Sequence, residues 1–249
     1  MTKTSGLGQN FYIGGFDLSG NVSAISAARG SWSTLDVTSI NESAVERLQA
    51  LRDGEISFNT WFDVAAGREH FALKTLPLTD VGVMYVTDVP ALDAQAACLW
   101  AKQIDYNWAR AQDGSLAGTV QTLANGYGLE WCEMLTAGIR VDTTGTAGAY
   151  IDFGSVSSAY GACAYLQVFS VTGTSVTVVV EDSASAGSGY SAITGLSFSA
   201  VTPGGAPTTQ HLQTATGATI RRYVRATTSG TFSNAQFAVG FVRHLSTSI

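Results

Sequence analysis

The chain has 249 residues, 45% of them hydrophobic and only 13% charged, which supplies a real core and excludes a disordered polyelectrolyte. Its formal net charge of −6 disfavours gripping nucleic acid, because that affinity comes from counterions released around Lys and Arg. No run reaches the roughly 18 apolar residues of a membrane-spanning helix, and Met1 to Gly6 has no apolar stretch resembling a secretion signal; a soluble product without a membrane partner, made in a cytoplasm, is expected.

The charges are uneven. Residues 1–142 hold nine Lys/Arg and sixteen Asp/Glu, whereas residues 143–249 hold four and three. That asymmetry predicts two modules, 1–142 and 143–249, with different surface chemistry. Few charges and abundant Gly, Ser, Thr and Ala predict a mostly β fold.

In chain order, Asn10 to Gly20 reads as a short strand and turn leading into Val22-Ser23-Ala24-Ile25. Ser39-Ile40-Asn41-Glu42 is a capping-box pattern, and Ala44, Val45, Leu48 and Leu51 follow at helical spacing with Gly54 just beyond, which predicts a flanking helix. Glu55 to Asp63 alternates, with Ile56, Phe58 and Thr60 on one face of a half-buried strand. Arg68 to Leu76 predicts a short helix stopped by Pro77, and Val81 to Thr87 a strand ended by Pro90. Ala96 to Trp108 and Leu116 to Ala124 flank Asp113-Gly114 as a long hairpin. Thr143 to Gly148 reads as a linker. Beyond it, Ala162 to Val171, Ser175 to Glu181, Leu196 to Val201, Arg221 to Ala226 and Gln236 to Val242 predict a second β-sandwich of jelly-roll or immunoglobulin-like type. All five tryptophans precede the boundary, leaving Phe, Tyr, Val and Ile to fill that second core.

The residues offer little catalytic chemistry. His70, His211 and His244 are scattered without a nucleophile elbow, and Glu69-His70 lacks the second histidine of a zinc-protease motif. Gly6-Leu7-Gly8 misses the third glycine of a dinucleotide fingerprint. The acid pairs Asp53/Glu55 and Glu181/Asp182 read as solvated strand ends and caps. Cys98, Cys132 and Cys163 have no C-x-x-C spacing and read as buried free thiols. No catalytic residue, metal site or cofactor is expected. Strand alternation does place Arg221, Tyr223 and Arg225 on one face, a possible site for an anionic or sugar ligand or simply a salt-bridged sheet surface. Tyr160, Tyr165 and Tyr190 could add stacking rings.

The segment from Leu48 through Arg52-Asp53-Gly54-Glu55 to Phe58, followed by Phe62-Asp63, resembles the helix-to-strand region of tail tube (major tail) proteins of long-tailed bacteriophages, with Ala50 where a glycine is common. The opening Gly6 to Asp17 and the run Asn125-Gly126-Tyr127-Gly128-Leu129-Glu130-Trp131 look like virion proteins of phages that infect actinobacteria. The resemblance implies a β-sandwich with a flanking helix, whose copies join sheets into sixfold rings and stack into the virion tube through which the genome passes. Residues Gly6 to Gly20 and Asp63 to Glu69 become candidate bridges between rings, and 143–249 an outward decoration. Implied partners are further copies of the chain, other tail proteins, DNA that slides past an acidic wall without sticking, and, for the outward domain, a host surface glycan. Two alternatives stay open: another virion role, as a head decoration or minor tail protein, and a carbohydrate-binding protein acting through the C-terminal sandwich.

Overall fold

In a computed structural model, which describes residues 6–245, the chain is mostly β, as its composition predicts. The elements are β1 (Asn10–Ile13), β2 (Phe16–Asp17), β3 (Val22–Asp36), β4 (Arg47–Trp61), α1 (Glu69–Leu73), β5 (Val81–Val86), β6 (Gln95–Gln103), β7 (Asn107–Arg110) and β8 (Leu116–Ala124). They continue with β9 (Glu130–Met134), β10 (Arg140–Asp142), β11 (Ala147–Ser158), β12 (Ala162–Ser183), β13 (Ser191–Ser197), β14 (Thr208–Gln213) and β15 (Ile220–Arg243). One curled antiparallel sheet runs β13-β12-β15-β9-β6-β5-β1-β2, and the remaining strands branch from it.

Apolar residues sort onto this sheet in three layers. Phe11, Ile56, Phe58, Val83, Leu99 and Val120 fill one. Tyr12, Met84, Cys98, Cys132, Met134, Cys163 and Tyr165 fill the middle. Leu166, Val168, Val180, Phe237, Val239 and Phe241 fill the third. Ala96 to Leu99 on β6 and Ala162 to Val168 on β12 are buried at every position, because alternate side chains enter different layers. A short continuous apolar run is the sequence mark of such a strand, covered on both faces.

The middle layer holds a polar hub. Glu130, on β9, is buried and accepts a hydrogen bond from the Tyr165 hydroxyl (2.8 Å), while His244 Nε2 shares another at 2.9 Å and Arg52 stands 3.8 Å away. Burial by itself raises such a carboxyl, but the bonds from His244 and Tyr165 outweigh it and hold Glu130 below its ordinary range. Nearby, buried Gln167 accepts from the Gly15 N–H (2.7 Å) and donates to the Gly82 carbonyl (2.9 Å), tying β12 to the β1–β2 turn and to β5. At Gly240 a Cβ would sit 2.8 Å from Cys98 Sγ, so any larger residue there would force the packed Cys98 and Met84 side chains to shift.

Several expectations change. The helix predicted from Ser39 to Leu51 is absent: this stretch forms the loop and first part of β4, which pairs with β3 from Asp36↔Arg47 down to Val22↔Thr60. Leu48 and Leu51 are exposed, so no core faced the apolar stripe, and backbone pairing with β3 won over local helix signals. Gly54 is not a helix cap but a crossing point, where a Cβ would meet the Leu129 nitrogen at 2.5 Å. The segment that carries the family resemblance is therefore strand, and the sole α-helix among the described residues is α1, inside the second predicted helical stretch. Within Gly6 to Gly20, β1 and β2 belong to the chain's own sheet, with β1 paired to β5 and both Tyr12 and Leu18 fully buried, while Gly6 to Gly8 stay exposed. Thr143 to Gly148 joins β10 to β11, both paired with β15; Asp142 accepts from Arg140 (2.7 Å) and Thr228 (2.6 Å), and Thr228 Oγ1 accepts from the Thr146 N–H (3.1 Å). Two pairs of predicted C-terminal strands are single long strands, β12 and β15, bent by bulges at Gly173 and its neighbours.

Glu130→Ala should lower the unfolding free energy by about 3 kcal/mol, since it strands the Tyr165 and His244 donors in a dry layer. Urea titration reads this directly, and a loss under about 1 kcal/mol would contradict the hub's role.

Candidate functional site

The feature least satisfied within one copy is the far half of the β3–β4 hairpin. Residues 29–49 are all exposed, yet they include Trp32, Leu35, Val37, Ile40, Val45 and Leu48. The backbone there is tightly tied. Thr34↔Gln49, Leu35↔Leu48 and Asp36↔Arg47 pair, and the Val37 N–H donates to the Glu46 carbonyl at 3.0 Å. The Asp36 carboxylate accepts from both the Thr38 hydroxyl (2.6 Å) and the Thr38 N–H (3.0 Å), which holds Asp36 below its ordinary range, and the Thr38 hydroxyl accepts from the Glu46 N–H at 2.9 Å. A stiff arm thus presents large apolar side chains to water, the signature of a surface that another protein covers. Among the described residues β3 pairs only with β4, so its outer edge is open as well. The sequence did carry one signal for this arm: Asp36-Val37-Thr38 is an Asx turn, which the helical reading of the next residues hid.

The predicted ligand face is partly assembled. Tyr223 and Arg225 stand together, with Tyr150 opposite Arg225 on β11. The Tyr150 and Tyr223 rings meet edge to face at 5.4 Å, and Arg225 lies 4.0 Å from the Tyr190 ring centre while pairing with Glu181 at 2.8 Å. Arg221 is held apart, clamped by Asp182 (2.7 Å) and Ser191 (2.6 Å). Asp152, which the sequence reading missed, pairs with Arg222 at 2.6 Å, and that contact holds its carboxyl down at about 2. Tyr165 is buried in the middle layer and offers no ring to a ligand.

The scattered histidines are not all scattered. His244 bonds Glu130, and His211 packs against Tyr127 (4.3 Å) and Tyr165 (4.5 Å), where burial lowers its pKa to about 4. Glu130, Cys163 and His244 present ligand-type atoms within 4.8 Å of one another. Glu130 already spends both oxygens on Tyr165 and His244, and burial pushes the Cys163 thiol far up, so the trio has the chemistry of a hydrogen-bonded hub. All three cysteines are free and buried. The acid pairs are engaged: Glu55 binds Arg29 (2.7 Å) and Gln121 (2.8 Å), and Glu181 and Asp182 bind Arg225 and Arg221. No helix among the described residues is long and apolar enough to cross a membrane.

No protein-family model matches the chain, and no curated protein matches it. Among solved structures, it is similar to a chain from the tail of an empty gene transfer agent particle with C6 symmetry, at 15% identity over 53% of this chain and 98% of that one, TM-score 0.38. It is also similar to the Dit protein of phage SPP1, a hub of the adsorption apparatus in phages infecting Gram-positive hosts, at 12% identity over 94% of this chain and 99% of that one, TM-score 0.36. A chain of the activated phage p2 baseplate matches at 10% identity over 95% and 98%, TM-score 0.32. These TM-scores are too low to establish a common fold.

Between β4 and α1, the loop implied as a bridge contains one group with a pH consequence. Glu69 is fully buried at the start of α1, and neither carboxylate oxygen makes a hydrogen bond of normal geometry. The nearby Tyr106 hydroxyl pairs with His70 Nδ1 at 2.5 Å. Burial, only partly offset by that hydroxyl, pushes Glu69 up to about 7. A carboxyl raised in the folded state stabilises fully below its unfolded pKa, near 4.5, and loses that contribution as pH climbs through its folded value. Glu69→Gln should therefore flatten the fall in melting temperature between about pH 5 and 8 and melt higher than the wild type at pH 8. Parallel melting curves for the two proteins across that range would refute the assignment.

Proposed function

We propose that the chain is a non-catalytic structural subunit of a bacteriophage tail, acting by self-association, and most specifically a tail tube subunit whose rings stack into a conduit for the genome. The observation that carries this reading is the β3–β4 arm, which exposes six large apolar side chains on a backbone too well tied to fold them away. Burying them against other copies is worth about 25 cal/mol per Å² and closes the open β3 edge at the same time. The excess of acidic residues before residue 143 suits a wall past which DNA slides, and residues 143–249, nearly uncharged, suit an outward domain at the virion surface. The partners on this reading are further copies and other tail proteins.

One observation favours a second, compatible activity. Tyr150, Tyr190 and Tyr223 gather around Arg225 on the C-terminal half, an amphipathic surface on which a sugar ring can stack. If a glycan array detects binding, Tyr150→Ala with Tyr223→Ala should abolish it. Binding that survives in the double variant, or none by the wild type, removes this activity.

For the main reading, purified protein viewed by negative stain should form rings or tubes. Ile40→Asp with Val45→Asp should leave monomers whose melting temperature is within about 2 °C of the wild type, as expected for exposed sites. Wild-type particles that stay solitary at every concentration would sink the proposal.

A further inference from the structure

We infer that the arm tip of one copy seats in a groove at the arm root of the next, so that copies join head to tail. This rests on the self-assembly reading and adds to it the surface that receives the arm. The groove encloses about 580 Å³ where the hairpin leaves the body and is walled by Trp32, Leu51 and Tyr127, with Arg52, Gln213 and Thr216 as polar lining. Trp32 and Tyr127 are each more than a third exposed and Leu51 is 80% exposed, so the site is apolar, concave and unfilled by its own chain.

Four features fit the tip to this groove. Both surfaces are apolar and neither is covered within one copy. They cannot meet within one copy: Leu51 lies six positions beyond Val45, about 20 Å at the rise of extended chain, and β3–β4 pairing from Arg47 onward keeps that span extended. Their charges are complementary, because the tip carries Asp36, Glu42 and Glu46 against Arg47 alone, while the groove is lined by Arg52 and by no carboxylate. Finally, the side chains of Gln213 and Thr216 make no hydrogen bond with other described residues, leaving donors and acceptors free for an incoming turn.

Tip and groove are different surfaces, so the contact is heterologous, and a heterologous contact closes into a ring or propagates as a filament. It therefore has a test that a self-complementary contact fails. A tip variant, Ile40→Asp with Val45→Asp, and a groove variant, Trp32→Ala with Tyr127→Ala, should each sediment as monomers. Mixed, they retain one good tip and one good groove between them and should form a heterodimer and nothing longer. If the wild type assembles but the mixture stays monomeric, the tip docks elsewhere and the inference falls while self-assembly stands; a monomeric wild type overturns both. A second measurement guards against misfolded variants. A photo-crosslinking residue at Ile40 of an otherwise unchanged chain, mixed with isotope-labelled copies, should link to labelled peptides containing Tyr127 or Gln213. Links only to other surfaces refute the docking.

Discussion

An ionised carboxylate held in the buried middle layer of the curled sheet costs several kcal/mol in lost hydration, and Glu130 recovers that only while Tyr165 and His244 are aimed at it. Those partners come from β12 and from just beyond β15, whereas Glu130 sits on β9 and Arg52 on β4. The ion therefore fixes the register between the first and last parts of the chain, something the surrounding apolar contacts of Met84, Cys98 and Cys132 do less selectively. Gln167 repeats the device at the far side, reaching the Gly15 amide and the Gly82 carbonyl. Apolar layers supply most of the favourable energy, and these few buried polar bonds specify which strands face each other.

With the body locked in this way, the arm becomes the exception. Everything from Ile56 to Thr60 on β4 faces the core or lies half-buried, while the same strand before Gly54 projects into solvent. One strand thus serves two environments, and Gly54 marks the change where the chain passes close over Leu129. Arg52 lies on this boundary, touching the hub through Glu130 and the groove through Trp32, 5.7 Å from its ring centre. The interior register and the outer groove are consequently coupled through one side chain.

Much of the body was legible because its signals are physical necessities of a strand. The alternation of Ile56, Phe58 and Thr60 could be satisfied only by a one-sided sheet, and the Asp113-Gly114 turn formed where its backbone preferences placed it. The arm was misread because a capping box and apolar spacing are local, whereas the winning interaction is pairing with β3, whose Gly-, Ser- and Ala-rich sequence gives little sign of a 15-residue strand. The continuity of β12 and β15 was hidden by Gly173 and Gly230, which punctuate a sequence but only bend a strand. Alternation puts Arg225 and Tyr223 on one face, whereas the guanidinium of Arg221 is taken up by the Asp182 carboxylate. No sequence pattern could have shown that Glu130 and His244, 114 positions apart, share a hydrogen bond.

The β12–β15 ladder has a mechanical consequence. It runs unbroken in direction from Ala162↔Arg243 to Ser183↔Tyr223, and its bonds lie across the strand axis. Tension applied along that axis loads the rungs together in shear instead of peeling them one by one. These two strands thus act as a tie-rod through the sheet, and load along their axis must break many rungs at once.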